Sequence, residues 1–192
     1  MIALDKLSSI LKETAKLINY LALVQHSERK RLVDSLANIC MRCEESFELI
    51  YARITSIRRT YGNTDSLIVA VQGFIDDHQL ALQFKPEHLC SEIDSLLTDL
   101  ESYLEGLRYS IASNSISVIK MELGNMHHCD ISLNEQYNLL REELRNLIDS
   151  YEIDKNKLNI SIIRDILNGF EDSLKEVVNA ARAAKDKVID IM

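Results

Sequence analysis

Apolar side chains recur every three or four positions along most of this chain, which predicts a series of amphipathic helices. The most regular stretch predicts a long second helix over about residues 28–61. The part that carries the apolar seam would be about 45 Å long at 1.5 Å per residue. Its apolar seam consists of Leu32, Leu36, Ile39, Cys43, Phe47, Ile50, Ile54, Ile57 and Tyr61. Shorter seams predict a first helix over about residues 3–24 and a third helix that Thr64 and Asp65 can start, with apolar positions from Leu67 to Ile75.

Pro86 marks the start of a fourth predicted helix. A proline is harmless there because the N–H that it lacks would be unpaired in the first turn anyway. The leucine-rich seam of this helix runs from Leu89 to Ile111. The Ser- and Asn-rich residues 110–117 then predict either a break or a shifted continuation to about Leu123.

The last third of the chain predicts two more helices. Residues 124–130 are expected to form a loop, after which Ser132 and Glu135 have the spacing of a capping box that opens a fifth helix. A polar connection over residues 152–159 is expected to precede a sixth helix, whose inward positions begin at Ile163.

The composition supports the same fold class. One Pro and five Gly are too few for the many turns of a β protein, because turns need the special backbone dihedrals of these residues. We therefore predict an all-α fold, an elongated antiparallel bundle of about six helices. The length fits a single domain over residues 1–192, which could divide near residues 112–131.

Several classes of protein are disfavoured by what the sequence lacks. It has no Gly-rich phosphate-binding loop, no GxSxG nucleophile elbow, and no His that follows a Glu by three positions as helical di-iron sites require. We therefore predict no enzymatic activity and no cofactor. No apolar run approaches the ~20 residues that cross a bilayer and no signal peptide is visible, so we expect a cytoplasmic protein without a membrane partner.

A weak metal-binding pattern is present. Cys40 and Cys43 form a CxxC pair, and His127, His128 and Cys129 form a second group that could supply zinc ligands. The CxxC pair lies in the regular seam of the second helix, where Cys commonly acts as a small hydrophobic residue. The sequence favours that interpretation and leaves metal binding by these five residues open.

The formal net charge of −8 is unevenly distributed. Residues 1–62 carry ten Lys/Arg against seven Asp/Glu, whereas residues 63–192 carry twelve against twenty-three. An acidic stripe on the predicted fourth helix, with Glu92 nearby, consists of Glu87, Asp94, Asp99, Glu101 and Glu105. Such a stripe is commonly a solvated helix face, but a basic partner or the protein's own basic first third could dock there.

The leading functional hypothesis is a non-enzymatic interaction or assembly protein, such as an adaptor, a complex subunit or a regulator. A helix of about 45 Å should not be fully covered by a compact domain whose radius of gyration is about 16 Å. Part of its seam, with Ile50, Ile54 and Ile57 as candidate contacts, is therefore expected to meet another chain. That chain is expected to be a second copy, since two-fold pairing is the commonest assembly, or another subunit of a hetero-complex.

Two alternatives remain open. The bundle could sense a small molecule or a metal ion between its helices, with Tyr103, Tyr137 and Tyr151 as polar lining. It could also bind nucleic acid weakly through basic patches within residues 29–59, although an acidic protein is poorly suited to phosphate contacts. These patches are Arg29-Lys30-Arg31 and the group Arg53, Arg58 and Arg59.

Overall fold

The structure is a computed structural model that describes residues 2–21, 26–77, 79, 86–103, 107–127, 131–154 and 159–189. Within these ranges the chain is helical and contains no strand, which confirms the predicted all-α bundle. The described helices are α1 (Ile2–Leu21), α2 (His26–Arg58), α3 (Thr64–Ile75), α4 (Pro86–Tyr103), α5 (Leu107–His127), α6 (Ile131–Ile153) and α7 (Ile160–Ile189).

Helices α1, α2 and α7 form the centre of the bundle. Helix α7 packs along both α1 and α2, while α5 packs on α1 and α4 packs on α2 and α5. Helices α3 and α6 pack against each other beside this group. Contacts between α6 and α7 are sparse even though the two helices follow one another along the chain. No described helix combines the length and the apolarity that a bilayer crossing requires.

The long helix that the periodicity predicts is present as α2. It has 33 residues and a length of about 50 Å. It ends at Arg58, and residues 59–62 form a turn. The side chain of Asn63 then caps α3 by accepting a hydrogen bond of 2.9 Å from the backbone N–H of Ser66, one of the N–H groups that a helix start leaves unpaired.

The apolar seam of α2 is covered by the chain itself. Leu32, Leu36, Ile39, Cys43, Phe47, Ile50, Ile54 and Ile57 are each at most 2% exposed. The expectation that part of this seam remains for another chain is therefore wrong. Helix α7 and, to a smaller extent, α4, α1 and α3 pack on α2.

The region after α4 agrees with one of the two predicted alternatives. Residues 110–117 lie inside α5, which runs from Leu107 to His127, so this stretch is helical and the predicted break is wrong. Burial explains why this Ser- and Asn-rich stretch is helical, because packing of an amphipathic face outweighs weak intrinsic propensity. Its buried positions recur every three or four residues: Ala112, Ser115, Ile116, Ile119 and Leu123.

Two predicted loops are shorter than expected. Helix α5 continues through His127, so the expected loop over residues 124–130 is wrong for its first four positions, and residues 128–130 lie outside the described ranges. Helix α6 begins at Ile131, and the side chain of Ser132 is not among those described, so the capping box stays a prediction. The connection before α7 starts only after Ile153.

The pairing of α3 with α6 depends on an aromatic and a polar contact. The ring of Tyr137 meets that of Phe74 edge-on, with centroids 5.8 Å apart. The Nε atom of Arg141 donates a 2.8 Å hydrogen bond to the carbonyl oxygen of Ile75. That bond satisfies one of the last carbonyls of α3, which the helix leaves unpaired.

Helix α7 confirms the predicted sixth helix. Most of its predicted inward side chains are buried: Ile163, Phe170, Leu174, Val177, Ala181, Ala184 and Val188. Ile166 is only partly buried. The small side chains in the second half allow a neighbouring helix to approach closely, because interaxial distance follows side-chain size.

Candidate functional site: a groove between α6 and α7

The three isoleucines predicted to contact a partner lie inside the protein. Ile50, Ile54 and Ile57 belong to the buried core that α2 shares with its neighbours. Each stabilises the fold by about 1.5–3 kcal/mol through burial. They offer no surface to another chain in this structure.

The second basic patch is largely engaged within the chain. Arg53 forms an ion pair with Asp77 at 3.1 Å, and Arg58 pairs with Glu171 at 2.8 Å. Arg59 is exposed beside them. Because two of these three arginines already neutralise acids, the basic surface open to phosphates is smaller than the sequence indicates.

The contact between Arg58 and Glu171 joins α2 to α7. The Glu171 side chain is only 6% exposed, and it also accepts a 3.3 Å hydrogen bond from the hydroxyl of Thr55. A carboxylate this buried needs partners, since removing its water shell is costly. The hydrogen bond to Glu171, followed by its charge, raises the pKa of Arg58. Arg58 thus has a structural role.

The acidic stripe of α4 is partly neutralised by the basic first third of the chain. Arg31 pairs with Asp99 at 2.6 Å, and Arg42 pairs with Glu92. The sequence predicts that either a basic partner or the chain's own basic first third docks on this stripe. At these two acids, the chain's own basic residues do so.

The remaining stripe residues fall into three groups. Glu101 pairs with Lys120 of α5 at 2.5 Å. Asp94 is exposed. The side chains of Glu87 and Glu105 lie outside the described part of the chain, so their predicted role stays a prediction.

The candidate zinc ligands are only partly described. Cys40 and Cys43 are buried in the seam of α2. Burial, followed by the charge of Glu44, raises the pKa of Cys40 to about 12, which keeps the thiol protonated, whereas metals bind the thiolate. The side chain of His127 and residues 128–130 lie outside the described part. Where side chains are described, no three His, Cys, Asp or Glu residues are grouped to hold a metal ion.

The tyrosines expected to line a ligand cavity line none of the three described clefts. Tyr137 is buried between α3 and α6 with the guanidinium of Arg141 5.6 Å from its ring centroid. Burial raises the pKa of Tyr137 to about 12. Tyr103 and Tyr151 are partly buried against the core.

Two of the clefts are polar. The first, of about 210 Å³, lies between α2 and α4 and is lined chiefly by hydroxyl, amide and ion-paired side chains, including Ser35, Asn38 and Ser95. The second, of about 380 Å³, lies between Asp5 of α1 and the segment 172–179 of α7. Neither exposes a large apolar side chain.

The third cleft is an open apolar groove between α6 and α7, with a volume of about 310 Å³. It is lined by Gln136, Leu139, Leu140, Glu143, Asp165, Ile166 and Phe170. Leu140 and Phe170 are buried, whereas Leu139 is 59% exposed. Ile162, one turn before Ile166 on the same face of α7, is 41% exposed. We call this site the α6–α7 groove.

Two acids flank the α6–α7 groove, one on each side. Glu143 belongs to α6 and Asp165 belongs to α7, and both are exposed. Within the described part of the chain neither has an ion-pair partner, and the lining contains no Lys or Arg. The groove therefore combines apolar side chains with negative charge on both sides.

Leu139 and Ile162 were not among the predicted site residues, although the sequence contains a signal for them. Each is adjacent to a buried seam residue, Leu140 and Ile163 respectively. Successive helical positions are about 100° apart, so an apolar pair places one side chain beside the seam. Such surplus apolar residues on two consecutive helices indicate a second, narrower apolar surface.

Comparison with protein-family models, with curated proteins and with solved structures finds no match for this chain. Its function has to be inferred from its own residues and their arrangement.

Proposed function

We propose that this chain is a non-enzymatic interaction or assembly protein of the cytoplasm, an adaptor, complex subunit or regulator that binds another protein through exposed helix faces. One observation supports this function above the others. Leu139 in the α6–α7 groove and Ile162, one turn before the lining residue Ile166, remain accessible, while the much longer seam of α2 is covered. The proposed contact surface therefore lies on α6 and α7 rather than on α2.

The groove can contribute to binding without accounting for a whole interface. Leu139 and Ile162, at 59% and 41% exposure, together expose about as much as one full side chain, whose burial gives about 1.5–3 kcal/mol. A stable interface buries about 800 Å² on each partner. The groove is thus suited to a short segment of the partner, or to the apolar centre of a larger contact.

Site-specific photo-crosslinking in the native cell tests this function. A photoreactive amino acid replaces Leu139 in one strain and Ile162 in a second. Met121, which is similarly exposed on α5 and outside the groove, receives it in a control strain. Mass spectrometry identifies each attached chain.

We expect both groove positions to attach to the same identified protein and the Met121 position not to do so. Shared attachment at positions on two different helices requires a specific contact, because random collisions would label the control equally. Identical adducts at all three positions, or none at either groove position, would contradict the proposed function.

A further inference from the structure

Resting on the proposed function, we infer that the α6–α7 groove binds an amphipathic helix of another protein that carries Lys or Arg on both sides of its apolar face. The shape of the groove, its apolar floor and two acids without an ion-pair partner among the described residues support this occupant.

The shape of the groove fits a helix. Its sides are two helices, with residues 136–143 of α6 on one side and residues 165–170 of α7 on the other. Helices pack by placing the side-chain ridges of one into a groove of the other. The lined stretch from Gln136 to Glu143 is about 10 Å long, or two helical turns.

The floor of the groove favours apolar anchors on the partner. Leu140 and Phe170 form its buried base, while Leu139 and Ile166 remain partly accessible beside them. A helix two turns long presents apolar residues at i, i+3 or i+4, and i+7 to such a groove. Two or three of these anchors fill the space, and they supply most of the affinity.

The charges of the groove select a basic helix. A helix lying in the groove turns one polar flank toward Glu143 on α6 and the other toward Asp165 on α7. Exposed ion pairs contribute only about 0.2–1 kcal/mol each, but complementary charge raises the rate of encounter and excludes wrong partners. Glu142 adds a further exposed acid on α6. Basic residues are therefore expected on both flanks.

A second copy of this chain is a poorer occupant. A two-fold pairing places the same surface patch on both sides of the interface, so Glu143 and Asp165 of one copy would face the same acids of the other. Like charges that face each other across an interface oppose association. The charge pattern therefore favours a different protein.

Fluorescence anisotropy with the full chain and three labelled helical peptides tests the inference. The first peptide has Leu anchors and Lys/Arg flanks, the second has the same anchors and Glu flanks, and the third has Ala anchors and basic flanks. We expect the first to bind at least about tenfold more tightly than either of the others, a difference of about 1.4 kcal/mol.

Variants of the chain locate the binding. Leu139→Asp should weaken binding of the basic peptide at least about tenfold, whereas Met121→Asp, a charge at a similarly exposed position on α5, should leave it unchanged. The double variant Glu143→Lys with Asp165→Lys should prefer the acidic peptide. Circular dichroism checks that each variant folds, and Glu143→Gln with Asp165→Asn serves as the milder substitution.

The outcomes separate this inference from the proposed function. Equal binding of acidic and basic peptides, no binding of the basic peptide, or an unchanged preference after charge reversal would overturn the basic helix. Crosslinks from Leu139 and Ile162 to one identified protein would still support the proposed function in each of these cases. Dimerisation of the chain that Leu139→Asp abolishes in sedimentation velocity would instead make a second copy the occupant and also overturn the inference.

Discussion

Helix α7 takes part in two interfaces of opposite character. Where it packs along α1 and α2, its inward side chains are fully covered, as Leu174, Val177 and Ala181 show. Where it faces α6, Ile162 and Ile166 remain partly exposed and the two helices hardly touch. The apolar side chains of the same helix are therefore fully covered on one face and partly exposed on another.

The charges at the two interfaces differ in the same way. At the interface of α2 and α7, Glu44 accepts hydrogen bonds of 2.8 Å from Arg182 and 2.7 Å from Lys185. At the α6–α7 groove, Glu143 and Asp165 have no such partner within the described part of the chain. An interface that the chain closes by itself satisfies both its apolar and its charged groups. A surface that leaves both unsatisfied is the better candidate for a partner.

The largest expected effect comes from breaking the closed seam. Ile54→Ala removes a fully buried side chain and should lower the free energy of unfolding by about 2–5 kcal/mol. Leu139→Ala at the groove should change it by no more than about 0.5 kcal/mol, because its side chain is largely in water. Urea unfolding followed by far-UV circular dichroism measures both values. Equal losses would show that the groove is as much part of the core as the seam.

A smaller effect is expected at the ion pair between the half-exposed Arg58 of α2 and the buried Glu171 of α7. Among the described residues, Arg58→Met leaves the carboxylate of Glu171 with the hydroxyl of Thr55 as its one partner and should lower the free energy of unfolding by about 1–3 kcal/mol. Arg59→Met, at the exposed neighbouring position, should change it by no more than about 0.5 kcal/mol.

Urea unfolding of the two arginine variants measures this difference. A stability loss at position 59 that matched the loss at position 58 would mean that general charge, rather than the Glu171 contact, matters there.

The smallest expected effect is a dependence on pH at Glu44. Hydrogen bonds from Lys185 and then Arg182 lower the pKa of this carboxyl below its usual range. The stabilisation is therefore complete above the ordinary carboxyl pKa and is lost as the pH falls through the lowered value. Between about pH 6 and about pH 3, wild type should lose about 1 kcal/mol more stability than Glu44→Gln.

Glu45→Gln, an exposed neighbour, serves as the matched control for this pH series. It should follow the wild-type acid profile, and so should any variant that leaves the Glu44 contacts intact. If the Glu44→Gln profile superimposed on that of wild type, the contacts of Glu44 with Arg182 and Lys185 would not contribute to the stability of the interface between α2 and α7.

The helices were predictable from the sequence because periodicity records which side chains are buried. The seam of α2 and most of the seam of α7 were identified residue by residue. For residues 110–117 the sequence left a break and a helical continuation open, because Ser, Asn and β-branched residues have weak helix propensity and only tertiary packing reveals that Ser115 and its neighbours are buried.

The candidate site was not predictable in the same way. Periodicity shows that a helix has an apolar face, but it does not show which neighbour covers that face. Ile50 and Leu139 are both apolar residues of amphipathic helices, yet the first is buried and the second is exposed. The packing of the helices determines which of these side chains is buried, and periodicity along a single sequence does not reveal that packing.

Solvent paramagnetic relaxation of methyl groups tests the contrast between the α2 seam and the α6–α7 groove most directly. With a soluble nitroxide added, the methyl signals of Leu139 and Ile162 should broaden strongly, toward the rate of Ile153, which is 84% exposed. Those of Ile50 and Ile54 should stay sharp, because a covered methyl excludes the probe. Seam methyls that broaden as fast as the groove methyls would contradict the account.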